Sequence, residues 1–595
     1  MRKPNIYVFD FESNNSQLNI DNEITNIWLW DICSLNDYSH TTGTDFNDFI
    51  SVISKLAPCI MYSHNLKFDG IFILDYLLKN GFKHTTEKHL KQGEFSTLIS
   101  ETKVFYSIKV CIEDKGKKAK KIIEFRDSTK KLKGTVAEIA KSHDLPILKG
   151  EIDYRVYRPY GYIPTDEEIA YIRNDTEIIA RALKPQYENG MDKLTTASDT
   201  LALYKKHTGK YFQILFPTIS LKADTFIRNA YRGGLVLVDE RRCEKIIKQP
   251  VYVYDVNSMY PYQMAEKPLP YGTPVYYLGK YKKDNKYTLY IQRIEVCCKL
   301  KENYKPTVLL KNRFYQKQLS YLTDTEGQMI ELTLTSVDME LLFKHYEIFD
   351  IKYIDGYMFL SSTKLMRSFI KPLYEKKCTT KGAEKERYKL LLNSLYGKFA
   401  TNPKHIGKIP YLENDKVCFK NGPLEIGKPI YTALSAFVTA YSRQQLLNTI
   451  QNNYDNFVYC DTDSVHLLGE IQGEIVDDKK LGAYKLEKIY TVSKYLAQKT
   501  YYGITADNKK DIKIAGCPKN VKEKISFENF NFGNSFDGKL LPKTVNGGIV
   551  LIEHPFTLKR RWNKMSSTAK IGEIIKYTDN VTYKKIINKY RIKEC

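Results

Sequence analysis

The stretch that decides the fold reads Phe457-Val458-Tyr459-Cys460-Asp461-Thr462-Asp463-Ser464-Val465-His466. Apolar residues on both sides of Asp-Thr-Asp predict two short β-strands joined by an acidic tip. Residues two apart on a strand share a face, so we expect Asp461 and Asp463 to project together. Two carboxylates about 4 Å apart repel by ~4 kcal/mol at an effective dielectric of about 20. A divalent cation would relieve that repulsion, and oxygen ligands suit Mg²⁺ or Mn²⁺. An acidic turn capped by its own backbone is the alternative.

A second acidic strand end lies in Val253-Tyr254-Asp255-Val256-Asn257-Ser258-Met259-Tyr260-Pro261. Pro261 is expected to end any regular strand or helix at Tyr260, because proline lacks an amide hydrogen and restricts the residue before it. Asp255 and the Asp461–Asp463 tip would together hold two metal ions ~3.5–4 Å apart, which is the arrangement that clamps both oxygens of an in-line phosphoryl displacement.

A predicted helix lies between these two stretches, in Lys389-Leu390-Leu391-Leu392-Asn393-Ser394-Leu395-Tyr396-Gly397-Lys398. Its polar stripe consists of Lys385, Lys389, Asn393 and Tyr396, spaced at i, i+4, i+8 and i+11 beside an apolar stripe. Cationic and aromatic side chains facing two metal ions would bind a nucleoside triphosphate.

Three motifs in this order carry a family resemblance: Asp-Val-Asn-Ser-Met-Tyr-Pro, Leu-Asn-Ser-Leu-Tyr-Gly-Lys and Tyr-Cys-Asp-Thr-Asp-Ser. They resemble motifs A, B and C of family B DNA polymerases, and most closely those of the protein-primed branch typified by phi-twenty-nine-type phages. The resemblance runs from about residue 5 to about residue 559. It implies an α/β multidomain protein, with an N-terminal RNase H-like 3′–5′ exonuclease domain and a right-hand polymerase that has two family-specific insertions.

The resemblance also assigns roles in the polymerase site. It implies that Asp255 and Asp461 hold both metal ions with the Val256 carbonyl, while Asp463 supports them near the primer. Tyr260 would exclude a 2′-hydroxyl, the group that distinguishes RNA from DNA. The other implied dNTP-binding residues are Lys377, Lys389, Asn393 and Tyr396.

Acidic positions near the N-terminus predict a second site. Asp10 and Glu12 share a face of a predicted strand, and Asp69 follows in Tyr62–Gly70. Thr165 and Glu168 have capping-box spacing, which predicts a helix with Tyr171 and Asp175 on one face. Each acid alone would be read as a surface residue. In this order they resemble the Exo I, II and III motifs of proofreading exonucleases of the Asp-Glu-Asp-Asp type, with Tyr171 orienting the attacking water.

Further residues match DNA-binding positions of the family. Those implied for the single-stranded 3′ end are Ser13, His64, Asn65, Phe68, Ser128 and Lys149, and those implied for template and primer are Tyr231, Gly233, Gly234, Lys499 and Tyr501. Lys499-Thr500-Tyr501 is expected to lie on a strand after the hairpin, so that Lys499 and Tyr501 share a face and reach the primer end. The family usually has threonine at Ser13 and leucine at Thr129, so Thr129 is not expected to be a ligand. Gly233 and Gly234 allow positive φ and close backbone approach. Ordinary packing is the alternative for His64 and Phe68.

The resemblance and the motif positions divide the chain as follows: 1–192 exonuclease, 193–265 palm, 266–364 first insertion, 365–401 fingers, 402–432 second insertion, 433–514 palm, 515–559 thumb and 560–595 a basic extension. In the family the first insertion contacts terminal protein and DNA, and the second helps to close a ring round the DNA. Charged surface insertions without those roles are the alternative. The extension has ten Lys/Arg against three Asp/Glu. We favour a solvated helix over a phosphate-binding arm.

Composition bounds the partners and the compartment. The net charge of +23 over 595 residues favours a polyanionic partner. Eleven cysteines without a Cys-x-x-Cys pair, and no zinc-ligand spacing, predict reduced thiols in a cytoplasm, which is that of the host cell if a phage encodes the chain. No stretch approaches ~20 uninterrupted apolar residues, so no membrane association is expected. We expect a monomer.

The sequence therefore predicts a DNA-directed DNA polymerase with 3′–5′ exonuclease activity and two Mg²⁺ ions, or Mn²⁺, per active site. Its expected partners are primer-template DNA, single-stranded DNA, dNTPs and a terminal protein that primes processive, strand-displacing replication of a linear viral genome. A nucleic-acid-primed family B polymerase or a linear-plasmid polymerase is the alternative. A nuclease alone would not need the Lys389–Tyr396 stripe, and a non-catalytic DNA-binding protein would not need seven acids in two ordered sets.

Overall fold

The structure is a computed structural model that describes residues 4–114, 116, 120–159, 161–310 and 321–559. The helix predicted for 560–595 lies outside these residues. Within them, no helix is long and apolar enough to cross a membrane.

The N-terminal region is a mixed sheet with helices on both faces. Its elements are β1 (Asn5–Ser13), α1 (Gln17–Asp21), β2 (Ile27–Ser34), β3 (His40–Gly43), α2 (Phe46–Leu56), β4 (Cys59–Ser63), α3 (Leu66–Lys79), β5 (Lys83–His84), β6 (Glu94–Ile99), β7 (Phe105–Asp114), β8 (Lys120–Asp127), α4 (Val136–Ser142) and α5 (Asp166–Glu188). The strand order is β3-β2-β1-β4-β8-β7-β6-β5.

Alternation along β1 sends its side chains to two different layers. Phe9 and Phe11 pack with α2 and α3 in one core, while Val8 packs with α4 and α5 in another. Asp10 and Glu12 follow the parity of Val8, so the sheet directs them towards α5. That helix begins at the predicted capping box of Thr165 and Glu168.

The next elements build the middle of the molecule. They are α6 (Thr196–Thr208), α7 (Phe212–Leu215), α8 (Leu221–Ala230), β9 (Val236–Val238), β10 (Ile246–Ile247), β11 (Val251–Val256), α9 (Met259–Glu266), β12 (Leu269–Leu278), β13 (Leu289–Leu300), β14 (Ile330–Thr335), α10 (Ser336–His345), β15 (Tyr346–Ser362), α11 (Arg367–Thr379) and α12 (Gly382–Phe399). The chain continues through β16 (Lys404–Glu413), β17 (Lys416–Ile426), α13 (Thr432–Asn452), β18 (Phe457–Asp461), β19 (Ser464–Leu468), β20 (Tyr484–Ala497), β21 (Thr500–Thr505), β22 (Lys510–Ile514), α14 (Lys519–Glu523), β23 (Ser535–Val545) and β24 (Gly548–Thr557).

A central antiparallel sheet, in the order β22-β21-β20-β11-β19-β18-β9, joins distant parts of the chain. The predicted hairpin is confirmed as β18 and β19, with Asp461↔Ser464 as its last pair. Asp255 at the end of β11 pairs with Ser464 on one side and with Lys485 on the other. The sheet therefore brings together acids that are about two hundred residues apart in the sequence.

The predicted helix between the acidic stretches is confirmed as α12. Its buried residues are Tyr388, Leu391, Leu392, Leu395 and Phe399. Lys385, Lys389 and Asn393 are exposed on the opposite stripe, and Tyr396 is half-buried at its end. The stripe that was predicted to be polar thus faces away from the core.

Three local predictions were wrong. Pro261 does not end a helix: α9 begins at Met259, and Pro261 occupies its first turn, where amides have no partner inside the helix. Asp463 and Lys499 do not lie on strands but in turns. Asp463 follows Thr462, whose φ is +64°, and Lys499 itself has a φ of +56°. A change of chain direction overrides the strand alternation at both positions.

One smaller sheet and two hairpins extend from this core. A four-stranded sheet in the order β12-β15-β13-β14 carries α10, the β16–β17 hairpin follows α12, and the β23–β24 hairpin closes the described chain. The turn of the last hairpin docks on the N-terminal region, where Asn546 exchanges backbone hydrogen bonds with Glu23 and Thr25. The Glu23 carboxylate also pairs with Lys416 of β17 and Lys543 of β23. The start of the chain therefore contacts both hairpins.

Candidate active sites

The central sheet places Asp255 and Asp463 side by side. The Val256 amide donates to the backbone oxygen of Asp463 at 2.8 Å. Burial and, after it, the nearby Asp463 carboxylate raise the pKa of Asp255 to about 8. Burial and Asp461 raise the pKa of Asp463 to about 6. Carboxylates that resist ionisation together are suited to share a cation.

Asp461 has different partners. Both of its carboxylate oxygens accept hydrogen bonds from Lys499 Nζ, at 2.6 and 2.7 Å. The Thr462 hydroxyl donates to it at 3.0 Å and the Tyr459 hydroxyl at 3.3 Å. Asp461 is therefore already paired with a cationic side chain, whereas Asp255 and Asp463 face each other.

Glu487 is an acid of this site that the sequence analysis missed. It lies on β20 and contributes to raising the pKa values of both Asp255 and Asp463. It belongs to no motif, and an exposed acid on a strand gives no signal by itself. Strand pairing alone brings it to the site.

Three of the expected nucleotide-binding residues lie near the acids of this site: Lys377 near Asp255, and Tyr260 and Tyr396 near Asp463. The rings of Tyr260 and Tyr396 lie 4.3 Å apart between centroids. Lys377 Nζ donates to Ser258 Oγ at 2.8 Å. Burial lowers the pKa of Lys377, and the nearby Lys389 adds to this effect, so cationic side chains converge here. Asn393 is exposed and stands on the same stripe of α12.

The glycine loop approaches the acidic tip closely. A Cβ on Gly234 would lie 3.0 Å from atoms of Thr462 and from the Tyr260 hydroxyl. Neither Gly233 nor Gly234 has positive φ, so that part of the expectation was wrong. Space, rather than backbone conformation, favours glycine at position 234. The preceding Tyr231 is half-buried, close enough to Tyr396 to affect its pKa.

Tyr501 packs in an aromatic cluster beneath the acidic tip. Its ring lies 5.2 Å from those of Tyr459 and His466. Tyr501, which is expected to contact the primer, therefore also packs against other aromatic side chains. Lys499, although it lies in a turn, still reaches the tip through Asp461.

A cavity of about 230 Å³ gathers the N-terminal acids. The predicted residues that line it are Asp10, Glu12, Ser13, His64, Asn65, Phe68, Asp69, Lys149, Tyr171 and Asp175. The structure adds Asn15 and Tyr154 from the same region and Leu551 from β24, none of which the sequence analysis named. Contacts between distant parts of the chain leave no local sequence signal.

Burial and mutual repulsion dominate the electrostatics of this cavity. Burial, with help from Asp175, raises the pKa of Asp10 to about 7. The pKa values of Glu12, Asp69 and Asp175 are also raised, with burial as the largest cause. Lys149 Nζ pairs with Asp175 and opposes the shift there.

The cavity fits divalent cations by its donor atoms. Oδ1 of Asp69 and Oδ1 of Asp175 are buried, and the described structure offers them no hydrogen-bond donor. Among the described residues, no three His, Cys, Asp or Glu side chains converge on one point as a complete metal cluster. The carboxylates lie apart because buried negative charges repel one another, and Lys149, paired with Asp175, offsets part of that repulsion.

Tyrosine and histidine side chains in this region have defined partners. The Tyr171 and Tyr154 hydroxyls lie 2.6 Å apart, and Lys149 Nζ lies 4.9 Å from the Tyr171 ring centre. His64 Nε2 must donate to the Gly134 carbonyl, so its Nδ1 accepts from the Ser128 hydroxyl at 2.8 Å. Ser128 therefore contacts His64 and is not part of the cavity wall.

Comparisons with known proteins agree with this arrangement. The family described as DNA polymerase type B, organellar and viral, matches residues 53–480. The chain is a family B DNA polymerase. The DNA polymerase of Bacillus phage B103 is 42% identical over 559 residues, which cover 90% of this chain and 96% of that protein. The DNA polymerase of Bacillus phage phi29 is 40% identical over 578 residues, which cover 93% and 99%.

The polymerase also resembles solved structures of phi29 DNA polymerase. The complex with primer-template DNA has a TM-score of 0.88 at 38% identity, covering 94% of this chain and 100% of that chain. The complex with incoming nucleotides as well has a TM-score of 0.87 at 39% identity, with the same coverage. The predicted fold class is confirmed: an exonuclease domain and a right-hand polymerase. The polymerase is a DNA-directed enzyme with 3′–5′ exonuclease activity, and its family requires divalent metal ions.

Proposed function

We propose that this polymerase replicates a linear viral genome from a protein primer, processively and with displacement of the opposite strand. The observation that carries the proposal is the four-stranded sheet β12–β15, which leaves the polymerase core between the Asp255 region and the fingers. A right-hand polymerase needs only a short connection there. We propose 266–364 as the insertion that contacts terminal protein, and 402–432, which contains the β16–β17 hairpin, as the one that encloses DNA. We propose the other subdomain boundaries as the sequence predicts them.

In the polymerase site we propose Asp255 and Asp463 as the principal metal ligands, with the Val256 carbonyl. The sequence analysis gave Asp461 that place, but its bond to Lys499 favours a supporting role. Two Mg²⁺ ions held there would stabilise the charge on the attacking and leaving oxygens. The primer 3′ oxygen, or a hydroxyl of the terminal protein, attacks the α-phosphorus of the dNTP, and pyrophosphate leaves.

The same site selects and holds the nucleotide. Tyr260, whose ring packs against that of Tyr396, forms a floor under the sugar that leaves no room for a 2′-hydroxyl. Lys377 exchanges its Ser258 partner for phosphate oxygens, and Lys389 adds a second cation. Asn393 and Tyr396 line the base pair, and Tyr231, Gly233 and Gly234 contact the template. Lys499 and Tyr501 support the primer end.

In the exonuclease site we propose Asp10, Glu12, Asp69 and Asp175 as ligands of the divalent cations. Tyr171, fixed by its bond to Tyr154, orients the attacking water. Lys149 limits the negative charge beside Asp175. The 3′ end of a single strand lies along Ser13, Asn65 and Phe68, with His64 and Ser128 supporting that wall.

Extension of one primer on a single-stranded DNA circle tests the proposal. With Mg²⁺ and dNTPs, we expect products many circles long, and none with Asp255→Asn. The same Asp255→Asn protein should still degrade a single-stranded primer, because its exonuclease site is intact. Extension that stops at or before one lap would contradict strand displacement and the role given to the insertions.

Protein priming needs a separate assay. The polymerase is incubated with Mg²⁺, one labelled dNTP and the terminal protein encoded by the same genome. We expect label covalently bound to that protein, dependent on Asp255. Robust DNA-primed synthesis without any labelled protein would favour the nucleic-acid-primed alternative.

A further inference from the structure

A buried carboxylate, Asp31, lies directly beside the exonuclease acids but belongs to none of their motifs. It stands on β2, opposite Asp10 on β1, in the register of the antiparallel pair. Directly opposed residues share a face and place their Cβ atoms about 4.5–5.5 Å apart, where like charges are destabilising. Asp31 is fully buried. A buried charge at this place costs stability unless several donors satisfy it.

The donors come from both neighbouring elements. From β3, His40 Nδ1 lies 2.8 Å from Asp31 Oδ2, and the Thr42 hydroxyl donates to Oδ1 at 2.8 Å. From α5, the buried Thr176 hydroxyl lies 2.6 Å from Oδ2. This hydroxyl also lies 3.0 Å from the Arg173 carbonyl, but it has one proton, and the carboxylate is the nearer, charged acceptor.

A second ring of charges surrounds this group. His40 Nε2 lies 3.4 Å from Glu177, which is paired in turn with Arg181 at 2.6 Å. Arg173 Nε donates to the Thr42 hydroxyl at 2.8 Å and lies 4.0 Å from Asp31. The carboxylate is thus held from the strand side and from the helix side at once.

The helix contact is the informative one. Thr176 follows Asp175 on α5, and Asp31 on β2 lies opposite Asp10 on β1. The Thr176–Asp31 hydrogen bond therefore joins the helix that carries Asp175 to the strand that pairs with the one carrying Asp10. We infer that Asp31 is a positioning residue of the exonuclease site. Through Thr176 it fixes α5 against β1 and β2, so that Asp175 keeps its place relative to Asp10. His40 and Thr42 hold Asp31 in the orientation that Thr176 requires. The inference rests on the proposed assignment of Asp10 and Asp175 to that site.

Thr176→Val tests this contact, because valine keeps the shape and removes only the hydroxyl. We expect kcat on a single-stranded oligonucleotide to fall by about tenfold or more, since misplacement by 1 Å can cost a factor of about a hundred. KM for the oligonucleotide and the rate of primer extension should stay within about twofold of wild type. The Mg²⁺ concentration for half-maximal exonuclease activity should rise. Thr176→Ser should restore kcat.

Thr200→Val is the matched control. Its hydroxyl is equally buried, but it donates to the Thr196 carbonyl within α6 and lies outside the cavity. We expect it to leave exonuclease kcat unchanged. A fall in kcat with both variants, or with neither, would overturn the inference, as would a Thr176→Val effect confined to KM.

Asp31→Asn gives an independent measurement. We expect it to lower kcat as Thr176→Val does, and the double variant to lose no more than the more damaging single one, because both break one contact. Losses that multiply would contradict a shared role. If the Asp10→Ala variant keeps exonuclease activity at the wild-type level, the assignment of the exonuclease site itself is wrong.

Discussion

At the scale of single residues, the two acids of the β18–β19 tip should respond differently to substitution. Asp463 faces Asp255 and forms no ion pair with a basic side chain among the described residues, whereas Asp461 is paired with Lys499. We expect Asp463→Asn to lower polymerase kcat by more than about a thousandfold and Asp461→Asn by about ten- to a hundredfold. Single-turnover extension rates measure both. Equal losses would return Asp461 to the ligand role first expected for it.

Tyr260 gives a prediction about sugar selection. Its ring packs against Tyr396 at a centroid distance of 4.3 Å, and its hydroxyl lies beside Gly234, where the missing Cβ leaves space for it. Tyr260→Val should therefore admit ribonucleotides, raising kcat/KM for a rNTP relative to its dNTP by about a hundredfold. Tyr260→Phe, which keeps the ring, is the control and should retain most of the discrimination. Unchanged selection in the valine variant would remove Tyr260 from this role.

His40 gives a pH-dependent stability. Burial disfavours its charged form, but hydrogen bonds to Asp31 and Glu177 outweigh burial and raise the pKa of His40 above its ordinary value. The stabilisation is fully present below pH about 6.5 and disappears as the pH rises through the raised pKa. We therefore expect the difference in Tm between wild type and His40→Gln to be larger at pH 5.5 than at pH 9. A difference that grows with pH would show that His40 is neutral in the folded protein.

At the scale of elements, Glu23 connects three of them. The hydrogen bond from Lys416, followed by that from Lys543, lowers the pKa of Glu23 to about 2. The N-terminal region, the β16–β17 hairpin and the β23–β24 hairpin therefore meet at one carboxylate. We expect Glu23→Gln to shorten the products made in a single binding event, and the difference from wild type to shrink as salt rises, because exposed ion pairs are screened.

Glu101→Gln is the control for that measurement, since Glu101 is exposed on a turn of the same region. Product length per binding event, measured with a DNA trap at 20 mM and 200 mM salt, distinguishes the two variants. A Glu23→Gln defect that is the same at both concentrations would exclude an ionic connection.

Elements with a periodic pattern were predictable, and turns were not. The apolar stripe of α12, the capping box at Thr165 and the β18–β19 hairpin all follow from local spacing. Lys499 was predicted to lie on the strand that follows the hairpin. It lies in a turn instead, and the residue types at this position do not predict the backbone conformation that the turn needs. Leu551 and Glu487 reach their sites only by tertiary pairing. The motif acids of both sites were named from order and spacing, but the ion pairs of Asp175 with Lys149 and of Asp461 with Lys499 were not predicted.

At the scale of the whole molecule, the net charge of +23 predicts a steep salt dependence of DNA binding. The logarithm of the binding constant should fall linearly with the logarithm of salt concentration, with a slope of about −0.9 for each phosphate contacted on duplex DNA. We expect truncation after Lys559 to leave the slope unchanged, in line with a solvated extension. Fluorescence anisotropy with a labelled primer-template measures both proteins. A slope reduced by two or more would assign phosphate contacts to residues 560–595.

The contact between the β23–β24 hairpin and the exonuclease cavity has a consequence for biosynthesis. The Leu551 amide donates to Asn15 across 536 positions of sequence. A ribosome that adds about 5–20 residues per second needs roughly half a minute to two minutes to cover that separation. The N-terminal region therefore lacks one wall of its cavity until the β23–β24 hairpin has been translated. A nascent chain, or one truncated before Leu551, would carry the exonuclease acids in an open cleft, and the proofreading site would be complete only after that hairpin has folded onto it.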